Sequence, residues 1–306
     1  MRIAAVVCTY NRSRFAAEAL ESLFHQTLAR EDYEVILVND GSKDDTQQLS
    51  IRYASQPNFH YLEQKNQGLS AARNAGFAAA SAPSVAFLDA DATAESQWLA
   101  VLAEAAQRLP SDVACFGGPI ELTWELPRPP WLDHRNLIWL GAFDCGSVER
   151  VEVREGLFRG GNMAFRRDVL VRLGGFSLAL GRIGANLLSH EESAIGESLH
   201  RLGLSCAYLP DARIRHWVPR ERLRQSWFRR RVYWEGVSIA RRQRLVNPID
   251  SALRRWMRAA NYFRVRFFAR ETLVTAIRPW RWASDLPWQC HLCYHWGVIV
   301  ESLHAP

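Results

Sequence analysis

Asp89 and Asp91 close the run FLDADA at residues 87–92, two carboxylates one residue apart at the end of an apolar stretch. Like charges side by side repel and are costly to desolvate. A divalent cation or a hydroxyl-rich ligand offsets that cost, and carboxylate oxygens suit a hard cation such as Mg2+ or Mn2+. Such a cation bridges the two phosphates of a nucleotide diphosphate and neutralises charge on a departing diphosphate. Asp89 can take ribose hydroxyls while Asp91 ligates the cation. Asp40, in NDGS, can accept hydrogen bonds from a nucleobase or a ribose. An Asp-x-Asp pair taken alone is more often a solvated turn or a helix cap, so its meaning depends on what stands beside it.

The elements around these acids follow an alternating pattern. RIAAVVC (2–8), YEVILVND (33–40), Phe59 to Leu62 and SVAFLDADA (84–92) read as buried strands. FAAEALESLFHQTL, NQGLSAARNAGFAAA and AESQWLAVLAEAAQRL read as the helices between and after them. Alternation of this kind predicts βαβ units, a parallel sheet and ligands at the carboxyl ends of the strands. The clusters TYNR (Thr9, Tyr10, Asn11, Arg12), NDGS and DADA (Asp89, Ala90, Asp91) all fall on that edge. Beyond residue 119 the chain is Pro/Trp-rich and irregular, then gives a Gly turn, a short strand and a helix in LFRGGNMAFRRDVLVRLGGFS. SHEESAIGESLHRLG is a further helix whose start carries Glu191 and Glu192. After Pro219 come Arg-rich helical segments and a final apolar helix near 287–303.

The 306 residues are 48% hydrophobic, enough for one large α/β core with an appendage. Charge is unevenly spread: residues 212–281 hold 19 Arg against four acids, a net +15, which leaves −9 for the rest of a chain whose total is +6. A basic, Trp-studded part of this kind can meet anionic lipid, nucleic acid or a phosphorylated ligand. The six cysteines are mostly isolated, which suits reduced thiols. MRIAAVVC is too short an apolar run for a signal peptide, and no window approaches the roughly 20 apolar residues of a membrane span. The expectation is a cytoplasmic protein whose membrane association, at the inner face of the plasma membrane, is at most peripheral.

VVCTYNR, VILVNDGSKDDT, NQGLSAARNAG and FLDADA, in that order and spacing, resemble an inverting family 2 glycosyltransferase of the GT-A fold. The resemblance continues through RGGNMAFRRDVLVRLGGFS and SHEESAIGESLHRLG to CAYLPDARIRHWVP, about residues 3 to 240. It implies transfer of a sugar from a nucleotide-sugar to an acceptor hydroxyl with inversion at the anomeric carbon. It places Thr9, Tyr10 and Asp40 around the base, with Asn11, Arg12 and Ala90 among the donor-site residues. Arg73 falls near the diphosphate, Asp89 on the ribose, and Asp91 with His216 on the metal. Glu192 is the expected general base, with Glu191 the runner-up or an acceptor ligand. Gly161 and Asn162, in GGN, suit a tight turn where backbone approaches a sugar closely. Trp124, Trp131 and Trp139 are open to acceptor stacking or to ordinary packing.

Two departures matter. The family's acidic dipeptide is usually Glu-Asp, and here it is Glu-Glu. QSWFRRR (225–231) is not the Q-x-x-R-W of processive synthases, which points to single-sugar addition. The expected division is a nucleotide-sugar half (1–118), an acceptor half (119–220) and a helical basic region (221–306). The expected cofactor is Mg2+ or Mn2+. The expected partners are a UDP-sugar, a carbohydrate or lipid-linked acceptor, an anionic membrane surface and a second copy in a homodimer; nucleic acid is not expected. CHLCYH (290–295) lacks the second half of a paired zinc site, so two thiols on one helix face is its default reading. The rival functions are nucleotidyl transfer, an inactive partner subunit, and nucleic-acid or anionic-lipid binding through the Arg-rich region. CTYNRSR has no glycine-rich phosphate loop, which counts against the first. The intact acids count against the second.

Overall fold

The computed structural model describes residues 1–152, 156–184, 186–246 and 286–303. They divide into two compact units, Met1–Ala179 with Glu191–Pro219, and Leu180–His190 with Arg220–Pro306. The two expected halves, 1–118 and 119–220, therefore lie within one unit apart from residues 180–190 and 220.

In the first unit the apolar runs become strands for the reason their composition suggests. Strands β1 (Ile3–Thr9), β2 (Tyr33–Asn39), β3 (Phe59–Glu63) and β4 (Ser84–Asp89) pair in parallel, with β1 between β2 and β4. Every residue of β2 is buried, as expected of a strand covered on both faces. Helix α1 (Ser13–Phe24) lays Ala16, Ala19, Leu20, Leu23 and Phe24 against the core. A short α2 (Gln48–Arg52) and then α3 (Leu69–Ala79) and α4 (Trp98–Arg108) supply the other crossovers and covers.

The chain parts from the sequence reading at DADA. The expected single strand 84–92 ends at Asp89, turns at Ala90-Asp91, and restarts as β5 (Ala92–Ala94) in a different sheet. The main sheet continues through β6 (Val113–Gly117), β8 (Arg150–Glu152), β9 (Asn162–Arg166) and β10 (Ser205–Tyr208) in the order β3-β2-β1-β4-β9-β6-β10-β8. The small sheet is β5, β11 (Ile214–Val218) and β7 (Ile120–Trp124). Two further helices, α5 (Arg167–Leu173) and α6 (Glu191–Arg201), complete the unit. All six cysteines are free, and Cys115 and Cys206 face each other across β6 and β10.

The second unit is built on helices α7 (Gln225–Val246) and α8 (Leu286–Leu303). Their contacts run in the same direction along both helices: Arg229 bonds Gln289, and Arg241 and Arg244 bond Glu301, so the pair is parallel. Backbones approach closely because the crossing residues are glycines. A Cβ on Gly236 would lie 2.0 Å from the Tyr294 carbonyl oxygen, and one on Gly297 would lie 2.1 Å from that of Tyr233. CHLCYH lies on α8, and among the described residues it forms no three-ligand metal cluster. Among the described residues, no helix is long and apolar enough to cross a membrane. Much of the Arg-rich stretch, residues 247–285, lies outside the described residues.

Candidate active site

The site assembles where the sheet's register delivers it. Cys8 stands opposite Asp89 in the β1–β4 ladder, Thr9 opposite Asn39 in β1–β2, and Asp40 donates its N–H to the Thr9 carbonyl at 2.9 Å. Thr9, Asp40 and Asp89 therefore share the carboxyl edge of three neighbouring parallel strands. The Asp40 carboxylate accepts from Gln64 Nε2 (2.7 Å), the Gln67 N–H (3.0 Å) and the Gly68 N–H (2.8 Å), so it pins the loop that leads into α3. Its neighbour Gly41 has φ +76°, and a Cβ there would lie 2.7 Å from the Asn66 nitrogen. Only glycine fits that turn without strain.

Asp91 is placed from the other side by the small sheet. The β11–β5 register sets His216 opposite Ala92, and the Trp217 N–H donates to the Asp91 carbonyl at 2.8 Å. His216 Nε2 lies 3.3 Å from Asp91 Oδ1, while its Nδ1 is buried with no hydrogen-bond partner. One ligand atom from each of Asp89, Asp91 and His216 falls within 4.8 Å of the others. Two carboxylates and an imidazole form a donor set that Mn2+ or Mg2+ accepts. The residues present thus fit a divalent cation. Arg12 reaches into the same corner, its Nη1 hydrogen-bonded to Asp91 Oδ2. That contact was invisible in the sequence; the signal that could have suggested it is the cation that directly follows β1 on the acids' edge.

The acidic dipeptide begins α6, where carboxylates are favoured by the helix dipole. Its two members have different surroundings. Glu191 is buried and takes Arg73 Nη1 at 2.8 Å. Arg73 also reaches Asp89 Oδ1 at 3.1 Å and donates to the Gly160 carbonyl at 2.9 Å. Burial works against the Arg73 charge, but Glu191 and Asp89 outweigh it and push its pKa up. The half-buried Glu192 stands over Gly160, where an added Cβ would lie 3.6 Å from its Oε1. Gly161 lies against Asp89, where an added Cβ would come within 3.1 Å of Oδ2. The Gly160-Gly161 pair thus brings backbone between Glu192 and Asp89, and at Gly161 an added side chain would crowd the Asp89 carboxylate.

Other expected site residues are placed less directly. Tyr10 is exposed and Ala90 buried. Asn11 adopts φ 52°, held by its N–H on Ser42 Oγ (2.9 Å) and by the Lys43 N–H on its Oδ1 (2.7 Å). Asn162 is fully buried beneath the site. It accepts from Trp98 Nε1 at 2.8 Å and donates to the carbonyls of Pro119 (3.0 Å) and Ala212 (2.7 Å). Its amide is an internal brace, with no face toward a ligand. Burial pushes the Cys8 thiol up to about 12, against the opposing pull of Arg73.

The family model described as Glycosyl transferase family 2 matches residues 4–173. A glucosyl-dolichyl phosphate glucuronosyltransferase of Haloferax volcanii is 28% identical over 242 residues, 78% of this chain and 76% of that protein. Validoxylamine A glucosyltransferase of Streptomyces hygroscopicus is 37% identical over 38% of this chain, a match that spans 29% of its own length. Among solved structures, the mannosyltransferase PcManGT of Pyrobaculum calidifontis, in complex with GDP-Man and Mn2+, superposes with a TM-score of 0.60 at 20% identity, covering 99% of this chain and 87% of that one. S. aureus TarS in complex with UDP superposes at 0.53 and 18% identity over 91% of this chain and 75% of that one. These two likenesses are of fold, an α/β GT-A arrangement with a largely parallel sheet. The family match covers more than half of the sequence, and the chain belongs to glycosyl transferase family 2.

Proposed function

We propose that this glycosyltransferase moves one sugar from a nucleotide-sugar to an acceptor hydroxyl with inversion, in a metal-dependent reaction. The observation that carries the reading is the convergence of Asp89, Asp91 and His216 within 4.8 Å, with Glu192 only a glycine pair away. Glu192 is the general base: it takes the acceptor hydroxyl proton as the oxygen attacks the anomeric carbon. The bond to the nucleotide's diphosphate oxygen breaks as the new bond forms, and the diphosphate leaves with the electron pair. Asp89 binds the ribose, and Thr9, Tyr10 and the loop held by Asp40 shape the base pocket. A divalent cation on Asp91 and His216 would neutralise the charge of the leaving diphosphate. Glu191 is the poorer candidate, since its carboxylate is buried and engaged by the Arg73 guanidinium at 2.8 Å.

The donor nucleotide is proposed as uridine; the solved relatives hold UDP in one case and GDP-Man in another. A lipid-linked acceptor is the proposed class, supported by the dolichyl phosphate substrate named for the Haloferax relative. The second unit offers a surface suited to an anionic membrane, since Arg229 and Arg230 border a recess with Tyr233, Leu292, Cys293 and Trp296. Calorimetric titration with UDP, GDP and dTDP, with and without Mn2+, tests the reading on wild type and Asp91→Ala. One nucleotide is expected to bind only with metal, and that binding is expected to be lost in the variant. Binding by none of them reduces the reading to the fold.

A further inference from the structure

Asp91 is buried, yet the guanidinium that meets it belongs to a side chain that is 42% exposed. Arg12 follows β1 on a turn that Ser42 and Lys43 hold through Asn11, so the backbone is anchored while the side chain reaches across to Asp91. A guanidinium and a divalent cation repel each other, and both seek the same carboxylate.

From this we infer that Arg12 is a built-in competitor of the metal. It neutralises Asp91 while the cation is away, then leaves Asp91 for the diphosphate of the arriving nucleotide. The inference rests on the metal-dependent reading above and adds an order to it. Cation alone must displace Arg12 into solvent; cation with a nucleoside diphosphate gives Arg12 another anion. The two ligands therefore bind with positive coupling, and the coupling passes through this one side chain. Arg73 has no such freedom, because its side chain is 3% exposed and engaged at three acceptors.

The test is binding, with no turnover involved. Free Mn2+ is followed by electron paramagnetic resonance in titrations of wild type, Arg12→Gln and Arg12→Lys, first without nucleotide and then with saturating UDP or GDP. Arg12→Gln is expected to bind Mn2+ alone about three- to tenfold more tightly than wild type, the scale of a partly exposed ion pair. Its gain in Mn2+ affinity on adding nucleotide is expected to shrink, and Arg12→Lys is expected to fall between Arg12→Gln and wild type, distinct from both. If nucleotide and Mn2+ bind wild type together but Arg12→Gln binds Mn2+ alone no better, the competitor role is wrong and the metal reading survives. If neither protein binds Mn2+ with either nucleotide, both are wrong. Circular dichroism of Arg12→Gln checks that it folds. If it does not, Arg12→Lys decides alone: its bulkier-hydrated, single-point charge should pair less well with Asp91, and Mn2+ affinity without nucleotide unchanged from wild type overturns the inference.

Discussion

The metal corner of the site and the corner proposed to hold the base each pair an acid with an arginine, but in opposite ways. Arg12 comes to Asp91 from a half-solvated turn, whereas Arg73 meets Glu191 and Asp89 from inside the fold, 42% against 3% exposed. A solvated cation loses little when it lets go. A buried one cannot leave without stranding its partners, because an uncompensated charge in the interior is far more costly than an exposed one. The first pair is suited to exchange and the second to position. The base corner is thus held still while the metal corner is left free to change occupants.

The largest effect expected from this contrast is catalytic. Glu192→Gln removes the proton acceptor and should lower kcat by about 10²- to 10⁴-fold, with nucleotide affinity by calorimetry near that of wild type. A comparable loss for Glu191→Gln with Glu192→Gln left active would exchange the two roles. Next in size is Arg73→Ala. It removes the buried guanidinium shared by Glu191, Asp89 and the Gly160 carbonyl and is expected to cost about 3–5 kcal/mol of stability, measured by urea unfolding. A loss similar to that of an exposed arginine would erase the distinction between the two corners.

A third acid–arginine pairing, Glu235 with Arg231, sharpens the comparison from the second unit. Burial raises the Glu235 pKa, but the hydrogen bond from His190 and the charges of Arg231 and His190 outweigh it and hold the carboxyl from its ordinary 4.5 down to about 2. A depressed acid stabilises the fold fully above its unfolded pKa and ceases to do so as pH falls through its folded one. Stability of this unit should therefore fall as pH drops from about 4.5 to about 2, by at most of order 3 kcal/mol. Tryptophan near-ultraviolet dichroism follows the loss, and Glu235→Gln should flatten it. The smallest effect belongs to Arg12→Ala, expected to change unfolding free energy by no more than about 1 kcal/mol.

Much of this arrangement was legible beforehand, and the reason is local. Buried parallel strands are near-continuous apolar runs, so β1, β2 and β4 announce themselves, and the polar clusters that end them mark one edge. Asp91 was readable as an acid on that edge, but the small sheet that fixes it was not. Ile120–Trp124 and Ile214–Val218 are short and lie next to Pro-rich or turn-rich sequence, and their pairing joins segments about 90 residues apart in a way that no local period records. Arg73 was expected beside the diphosphate. Its burial depends on Glu191, 118 residues away, and helical spacing says nothing of that. Asn162 was read with its glycines as one turn, although strand alternation turns the amide inward.

That inward amide has a chemical lifetime. Deamidation would exchange its NH2 for a carboxylate oxygen, and the two carbonyls of Pro119 and Ala212 would then face an anion where they now accept donors. The usual route requires the next residue's backbone nitrogen to swing onto the side chain. Here Met163 is clasped between Phe87 and Gly117 in the middle of the sheet. The same ladder that sets the register of the site therefore shields one of its supports from molecular ageing.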